Sequence, residues 1–310
     1  MPRVLDLQPI VVDRRQLVAA DSGEQFRQHG YEMLARVGQM SEQIVDAVQR
    51  ETPAEGLSLD EAVIGGLLVR LSKQTRGIFD ATQADESEAH GPLSRCAAET
   101  AITLSYLARH GDDPMFRRFR ADSFAYWRAQ LDGMRAGADR EDDDMRLVRE
   151  KVEAVIEHEI QAASVKWEDV PRRSNSWGPS MRDRCEAIEE AWVYDTLFAS
   201  HSSYVHPTWH ELRTFHLSTS GGRLELDVTY GTMAPIAAYV VARVIAGGCG
   251  DAVRFLPCDL DPDDAAKRVD GTIEASQVLS FEYADFLARG GEDENLERHP
   301  GAGGPFVGPT

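Results

Sequence analysis

At 310 residues, 42% of them hydrophobic and 27% charged, the chain has an ordinary globular composition and the length to bury a large core in one or two domains. Its formal net charge of −19 opposes long-range attraction to nucleic-acid phosphates and anionic membranes, while leaving room for a local basic patch. The four cysteines, Cys96, Cys185, Cys249 and Cys258, form no CxxC pair, which argues against a zinc knuckle or a dithiol redox motif. The start has no charged leader followed by an apolar core, and the most apolar run, Met233 to Ala246, falls short of the roughly 20 residues a membrane span needs. These features predict a soluble, cytoplasmic protein with reduced thiols and with neither a cofactor nor a membrane partner.

Residues 1–20 read as an N-terminal extension with one extended piece, Ile10-Val11-Val12, closed by Asp13. A first helix follows Asp21-Ser22, with Ser22 at the N-cap and Leu34, Val37, Met40, Ile44 and Val48 on one stripe. Thr52-Pro53 and Gly56 end it. Ser58 with Glu61 three residues on is a capping-box pattern, and the helix it starts turns Leu59, Ala62, Val63, Leu67, Leu71 and Ile78 inward, to about Ala84. After the acidic connector at 85–88, Pro92 fits the first helical position of a helix from Leu93 to Arg109. Its stripe of Cys96, Ala97, Ala101, Leu104 and Leu107 is small enough for a neighbouring helix to approach closely. Arg95 and Glu99 stand four apart and can pair.

Gly111 to Pro114 is a stop and a restart, and residues 115–135 read as one aromatic-rich helix. Met145 to Val165 is amphipathic, with Val148, Val152, Val155, Ile156 and Ile160 inward and Arg149, Glu150, Glu153 and Glu157 outward. Trp177 lies in a polar loop and must bury its ring, often over a pocket. A further helix runs from Ser180 to about His201, and Pro207 starts a short one from His206 to Phe215. Alternation across Leu224, Leu226 and Val228 behind Ser220-Gly221-Gly222 reads as a β-hairpin near 217–230. Met233 to Gly247 is apolar all round, a central buried helix that Gly247-Gly248 should end. Asp261-Pro262-Asp263-Asp264 caps a last helix to about Ala288, and 290–310 has a disordered composition. The expected architecture is all-α, a multi-helix bundle forming one domain over 21–289.

Chemistry concentrates in Tyr194 to His216, which holds His201, His206, His210 and His216, four of the nine histidines, beside Ser202, Ser203 and Tyr204. His206 and His210 share a helix face at metal-ligand spacing, but the H-E-x-x-H order of a zinc hydrolase is missing. Ser202 lacks the G-x-S-x-G elbow of a nucleophile. An imidazole titrates near neutrality, so His206 is also a candidate acid–base or ligand-binding group. Because the Arg95–Glu99 helix is small and apolar, both side chains could turn inward and meet His206. Removing Arg95 from such a buried pair would cost about 2–4 kcal/mol.

Three segments carry a resemblance: R-C-A-A-E-T-A-I-T-L-S-Y-L around Arg95, Trp177 followed by a helix with Arg184, and Y-D-T-L-F-A-S-H-S-S-Y-V-H-P. In this order, over about Leu67 to Tyr239, the chain resembles a bacterial family known as a domain of unknown function, DUF5677. The resemblance implies an all-α bundle whose polar positions are Arg95, Glu99, Tyr194, Ser202 and His206. That bundle is in turn similar to the HEPN group, many of whose members are RNases with an arginine and a histidine separated by four to six intervening residues. Taking His206 as the histidine, Ala199, Ser200 and His201 occupy the arginine's place, so Arg95 would have to supply the cation.

Three readings therefore stand open. The first is a helical-bundle protein of a defence or stress system, whose cluster of Arg95, Glu99 and His206, flanked by Tyr194, Ser202 and Trp177, is structural or binds a small ligand. The second is a HEPN-like metal-independent RNase using His206, the only reading that brings RNA as a partner. The third is a metal-binding protein using His206 and His210. The sequence names no protein partner, and a homodimer is compatible with it.

Overall fold

The structure, a computed structural model, describes residues 3–84, 87–137, 143–173, 177–198, 217–220, 223–226 and 233–291. In chain order the elements are α1 (Arg14–Val18), α2 (Gly23–Glu51), α3 (Leu59–Gln83), α4 (Ser87–His110), α5 (Asp113–Asp122), α6 (Ala125–Ala136), α7 (Asp143–Ala162), α8 (Met181–Ala187), α9 (Ala191–Val193), β1 (Leu217–Ser220), β2 (Arg223–Leu226), α10 (Pro235–Phe255) and α11 (Pro262–Ala288). The all-α architecture with one short hairpin is the one the sequence predicts. The chain forms two compact units, one of residues 1–57, 64–109 and 181–310 and one of residues 58–63 and 110–180. The predicted tail from 292 onward and the predicted helix from His206 to Phe215 lie outside the described residues.

The first unit is built around α10, packed against α2 and α11. Tyr239 is fully buried, and its hydroxyl donates to the Phe26 carbonyl of α2 at 2.6 Å. Ser276 of α11 donates to the Tyr239 carbonyl at 3.1 Å. The Phe26 ring meets Tyr283 and Phe286 of α11 at 5.2 and 5.3 Å between centroids. Asp261 caps α11 through the amides of Asp263 and Asp264, as the D-P-D-D pattern predicts. Near the N-terminus a one-turn helix, α1, follows Ile10-Val11-Val12. Asp13 caps it, Leu17 is buried, and Arg14 pairs with the buried Glu282 carboxylate.

The predicted end of α10 at Gly247-Gly248 is corrected: the helix continues through both glycines to Phe255. Packing supplies the reason. A Cβ on Gly248 would stand 3.3 Å from the Cβ of Ala101 and 3.4 Å from its carbonyl oxygen, so glycine lets α10 lie directly on the small face of α4. At 21 residues, α10 is long and apolar enough to cross a membrane, but 78% of its most apolar window is buried inside the protein. Its apolar character is accounted for by the core it fills.

Other boundaries moved for equally local reasons. Ser58 and Glu61 make the reciprocal capping-box bonds at the start of α3, at 2.8 and 3.3 Å. The buried stripe of α3 is Ile64, Leu68, Leu71, Thr75 and Ile78; Ala62 is exposed and Leu67 half-buried. Ser22 stands at the N-cap of α2 but makes no side-chain cap bond. Pro92 is not the first residue of α4: the helix begins at Ser87, and burial of His90 and Gly91 holds the turn before the proline in the fold.

In the second unit the predicted helix 115–135 is two, α5 and α6, broken at Ser123-Phe124, with Asp112 capping α5 through the Met115 amide at 2.8 Å. The core comprises Ala121, Phe124, Leu131, Ile156, Ile160, Val165 and Val170, with Trp127 and Trp167 against it. The predicted inward stripe of α7 holds only in its second half. Val148 and Val155 are about half exposed, whereas Arg149 and Glu153 are about four-fifths covered and bond to one another. Arg135 of α6 also donates to Glu153 at 3.0 Å and, with Arg149, holds its carboxyl below the usual range. Paired charges can therefore occupy a packed face that a purely apolar pattern would not assign to them.

Candidate functional site

The residues singled out by sequence meet only in part. Arg95, on α4, is half-buried, and its guanidinium carbon lies 5.9 Å from the Phe198 ring centroid. Its Nη1 is out of reach of solvent and has no hydrogen-bond partner among the described residues. Phe198 is buried and stacks on Tyr194, with centroids 5.8 Å apart and planes 20° off parallel. Arg182 covers the other part of Tyr194 at 4.3 Å and pairs with Asp195 at 2.8 Å. Arg184 of α8, 6% exposed, reaches α4 through the Thr103 hydroxyl at 3.3 Å. The result is an aromatic pair with a cation on each side and a second buried cation on α8.

Glu99 does not join this group. It is exposed and makes no ion pair with Arg95, although the two are four residues apart. The expected cost of about 2–4 kcal/mol for losing Arg95 falls with it, because no buried carboxylate is left behind. Trp177 belongs to the second unit, where its buried ring meets Phe119 edge-on at 5.0 Å and its carbonyl accepts from Arg118 Nε. Ser202 and His206 lie outside the described residues, as do His201 and His210. Among the described residues no group of His, Cys, Asp or Glu could hold a metal ion.

Local backbone explains why Tyr194 and Phe198 stack. The predicted helix from Ser180 to His201 is broken: α8 ends at Ala187, α9 is one turn, and Tyr194–Phe198 continues as a π-helical turn. Single π-turns inside helices occur often at functional sites. The break is a complete Schellman motif, in which the Glu190 amide donates to the Cys185 carbonyl at 2.8 Å and the Glu189 amide to the Glu186 carbonyl at 3.1 Å. The position that normally holds glycine is Glu189, with φ of +65°. Glu189→Gly should therefore stabilise the protein by about 1 kcal/mol, raising the melting temperature by a few degrees. A lower melting temperature would mean that the Glu189 side chain earns its strained backbone.

The turn places Glu190 against Arg243 of α10, at 2.8 and 3.0 Å from Nη2, and Arg243 stacks on Trp192 at 4.8 Å. This pair was not anticipated, yet its signal was present: Arg243 is the lone charge in the run Met233 to Gly247. Burial, and next the Glu190 charge, push the Cys185 thiol up to about 11, and burial pushes Cys249 up to about 12. Neither is a ready nucleophile at neutral pH.

A helical bundle carrying arginines against an aromatic pair defines an all-α protein. The chain belongs to the family described as "Family of unknown function (DUF5677)", which matches residues 61–223, just over half its length. The match runs from α3 through β1 and so takes in Arg95, Arg184, Tyr194 and Phe198. No curated protein and no solved structure matches the chain.

Proposed function

We propose that this is a cytoplasmic helical-bundle protein of a defence or stress system that binds a small anionic ligand at Arg95. One observation carries the reading: Arg95 Nη1 is a buried charged donor with no partner among the described residues. Leaving such a donor unmade costs about 1–3 kcal/mol or more, and an anionic oxygen would remove that cost. The Tyr194–Phe198 stack beside it offers a flat apolar wall to the rest of the ligand. Ser202 and His206, four and eight residues past Phe198 in the sequence, are the polar groups proposed to complete the cluster.

Calorimetric titration with inorganic phosphate and with adenosine monophosphate tests it. Saturable binding of either by the wild type, weakened about tenfold or more by Arg95→Gln at unchanged melting temperature, is the expected result. Equal affinity in the variant would refute the assignment.

The second reading is a HEPN-like metal-independent RNase, with His206 as acid–base and Arg95 on the phosphate. It is favoured by the same unspent donor, because Ala199, Ser200 and His201 leave the usual arginine position without a cation. RNA cleaved by the wild type and spared by both His206→Ala and Arg95→Gln would support it; cleavage by His206→Ala at the wild-type rate would end it. The metal reading through His206 and His210 is decided by elemental analysis of the purified protein.

A further inference from the structure

A cavity separate from Arg95 lies about fourteen residues, or roughly 20 Å, further along α4. It has a volume of about 200 Å³ and sits within the first unit, between the end of α4, the Ile188–Glu190 turn, α10 and α11. Its walls are branched aliphatics, Ile188, Val244, Val269 and Ile273, with no aromatic ring among the lining residues. Gly247 forms part of the surface, and a Cβ built there would meet nothing within 4 Å. Its neighbour Gly248 is required by the contact with Ala101, but no packing contact requires glycine at 247.

Three guanidiniums line the same cavity. Arg243 is matched by Glu190, which it holds through both carboxylate oxygens. Arg109 and Arg254 share a single carboxylate. Asp251, 3% exposed, accepts from Arg109 Nε at 2.8 Å and from Arg254 Nη1 at 3.3 Å. Asp251 takes only Nε of Arg109, whose Nη1 donates to the Ile188 carbonyl at 3.4 Å, and only Nη1 of Arg254, so each guanidinium keeps further donors. Asp270 also lines the cavity, so the three guanidiniums face three carboxylates, Glu190, Asp251 and Asp270; Asp270 is exposed, and the Arg109 and Arg254 side chains are 39% and 55% exposed.

We propose that this cavity binds a short aliphatic monocarboxylate, with its carboxylate on Arg109 and Arg254 and its chain against Ile188, Val244 and Val269. The planar guanidinium fork matches the two oxygens of one carboxylate, which the donors left on Arg109 and Arg254 would take. A cavity of about 200 Å³ is small, which favours a short chain over a long one. The aliphatic walls and the open face of Gly247 take the hydrocarbon end.

The probe is hexanoate, titrated into the full chain and followed by ligand-observed NMR and calorimetry. Saturation with a Kd of about 1 mM or lower is expected for a ligand this small, with hexan-1-ol bound about tenfold more weakly or worse because it lacks the charge. Gly247→Leu fills the cavity without meeting a neighbour at its Cβ, and Arg254→Gln removes one of the two carboxylate-binding guanidiniums while Arg109 still holds Asp251. Each should weaken hexanoate about tenfold or more at an unchanged circular dichroism spectrum. Arg95→Gln should leave hexanoate binding unaltered, which separates this cavity from the anion site at Arg95. The proposal is overturned by an absence of saturation up to about 10 mM. Hexanol binding as well as hexanoate also overturns it, as does hexanoate affinity that survives both cavity variants or is lost in Arg95→Gln alone.

Discussion

Tyr239→Ala is expected to lower the unfolding free energy by about 4 kcal/mol, among the largest effects a single truncation can have here. Tyr239 is fully buried on α10, the helix that α2 and α11 both pack against. Removing its ring opens a cavity beside the Phe26, Tyr283 and Phe286 cluster, whose rings are already in mutual contact and can collapse into it only in part. It also strips the Phe26 carbonyl of the 2.6 Å bond from the Tyr239 hydroxyl. Tyr239→Phe separates the two contributions. It keeps the ring and loses the bond, so its cost should be about 1 kcal/mol. Urea unfolding of both variants measures the difference. A Tyr239→Ala midpoint equal to that of the wild type would show that the contact of α2, α10 and α11 is not the core of this unit.

Gly248→Leu should destabilise the protein by about 3 kcal/mol or more, by overpacking. The obstacle is backbone as well as side chain: the Cα and the carbonyl oxygen of Ala101 both lie 3.4 Å from the Cβ position. To admit a leucine, α10 and α4 must move apart, which loosens the close contact at Ala101. The adjacent glycine is the internal control. Gly247→Ala meets nothing within 4 Å and should stabilise the helix by about 0.5–1 kcal/mol through its higher helix propensity. Two neighbouring glycines, substituted in opposite directions of stability, distinguish close helix approach from an open cavity wall. Melting curves of the two variants shifting the same way would remove that distinction.

Much of the local structure was legible because its causes are local. The Ser58–Glu61 box and the Asp261 cap each depend on residues within a few positions of one another, and both form as read. The small face of α4 and the apolar character of α10 likewise followed from composition and period. What failed did so where distant residues decided the outcome. Gly247-Gly248 reads as a helix end on propensity alone, yet α4 supplies a surface that only glycine at 248 can touch. Glu189 carries no turn signal at all. The strained residue is held by Schellman bonds to Cys185 and Glu186 and followed by Glu190, whose side chain is paired with Arg243 on another helix. Glu153 and Arg149 read as an outward face but are covered, because each neutralises the other beside Arg135.

The candidate site divides along the same line. By itself the sequence determined that α4 would carry Arg95 on a helix able to pack closely, and that the chain resembles its family through segments holding Arg95, Arg184 and Tyr194. Only the tertiary structure decided that Arg95 meets Phe198 and not Glu99, that Trp177 serves the core of the other unit, and that three arginines converge on Asp251 and Glu190 around a cavity. Helical spacing fixes which residues share a face. Whether a charge on that face is buried, paired or left with an unspent donor depends on what another helix brings against it, and that information is spread over residues more than a hundred positions apart.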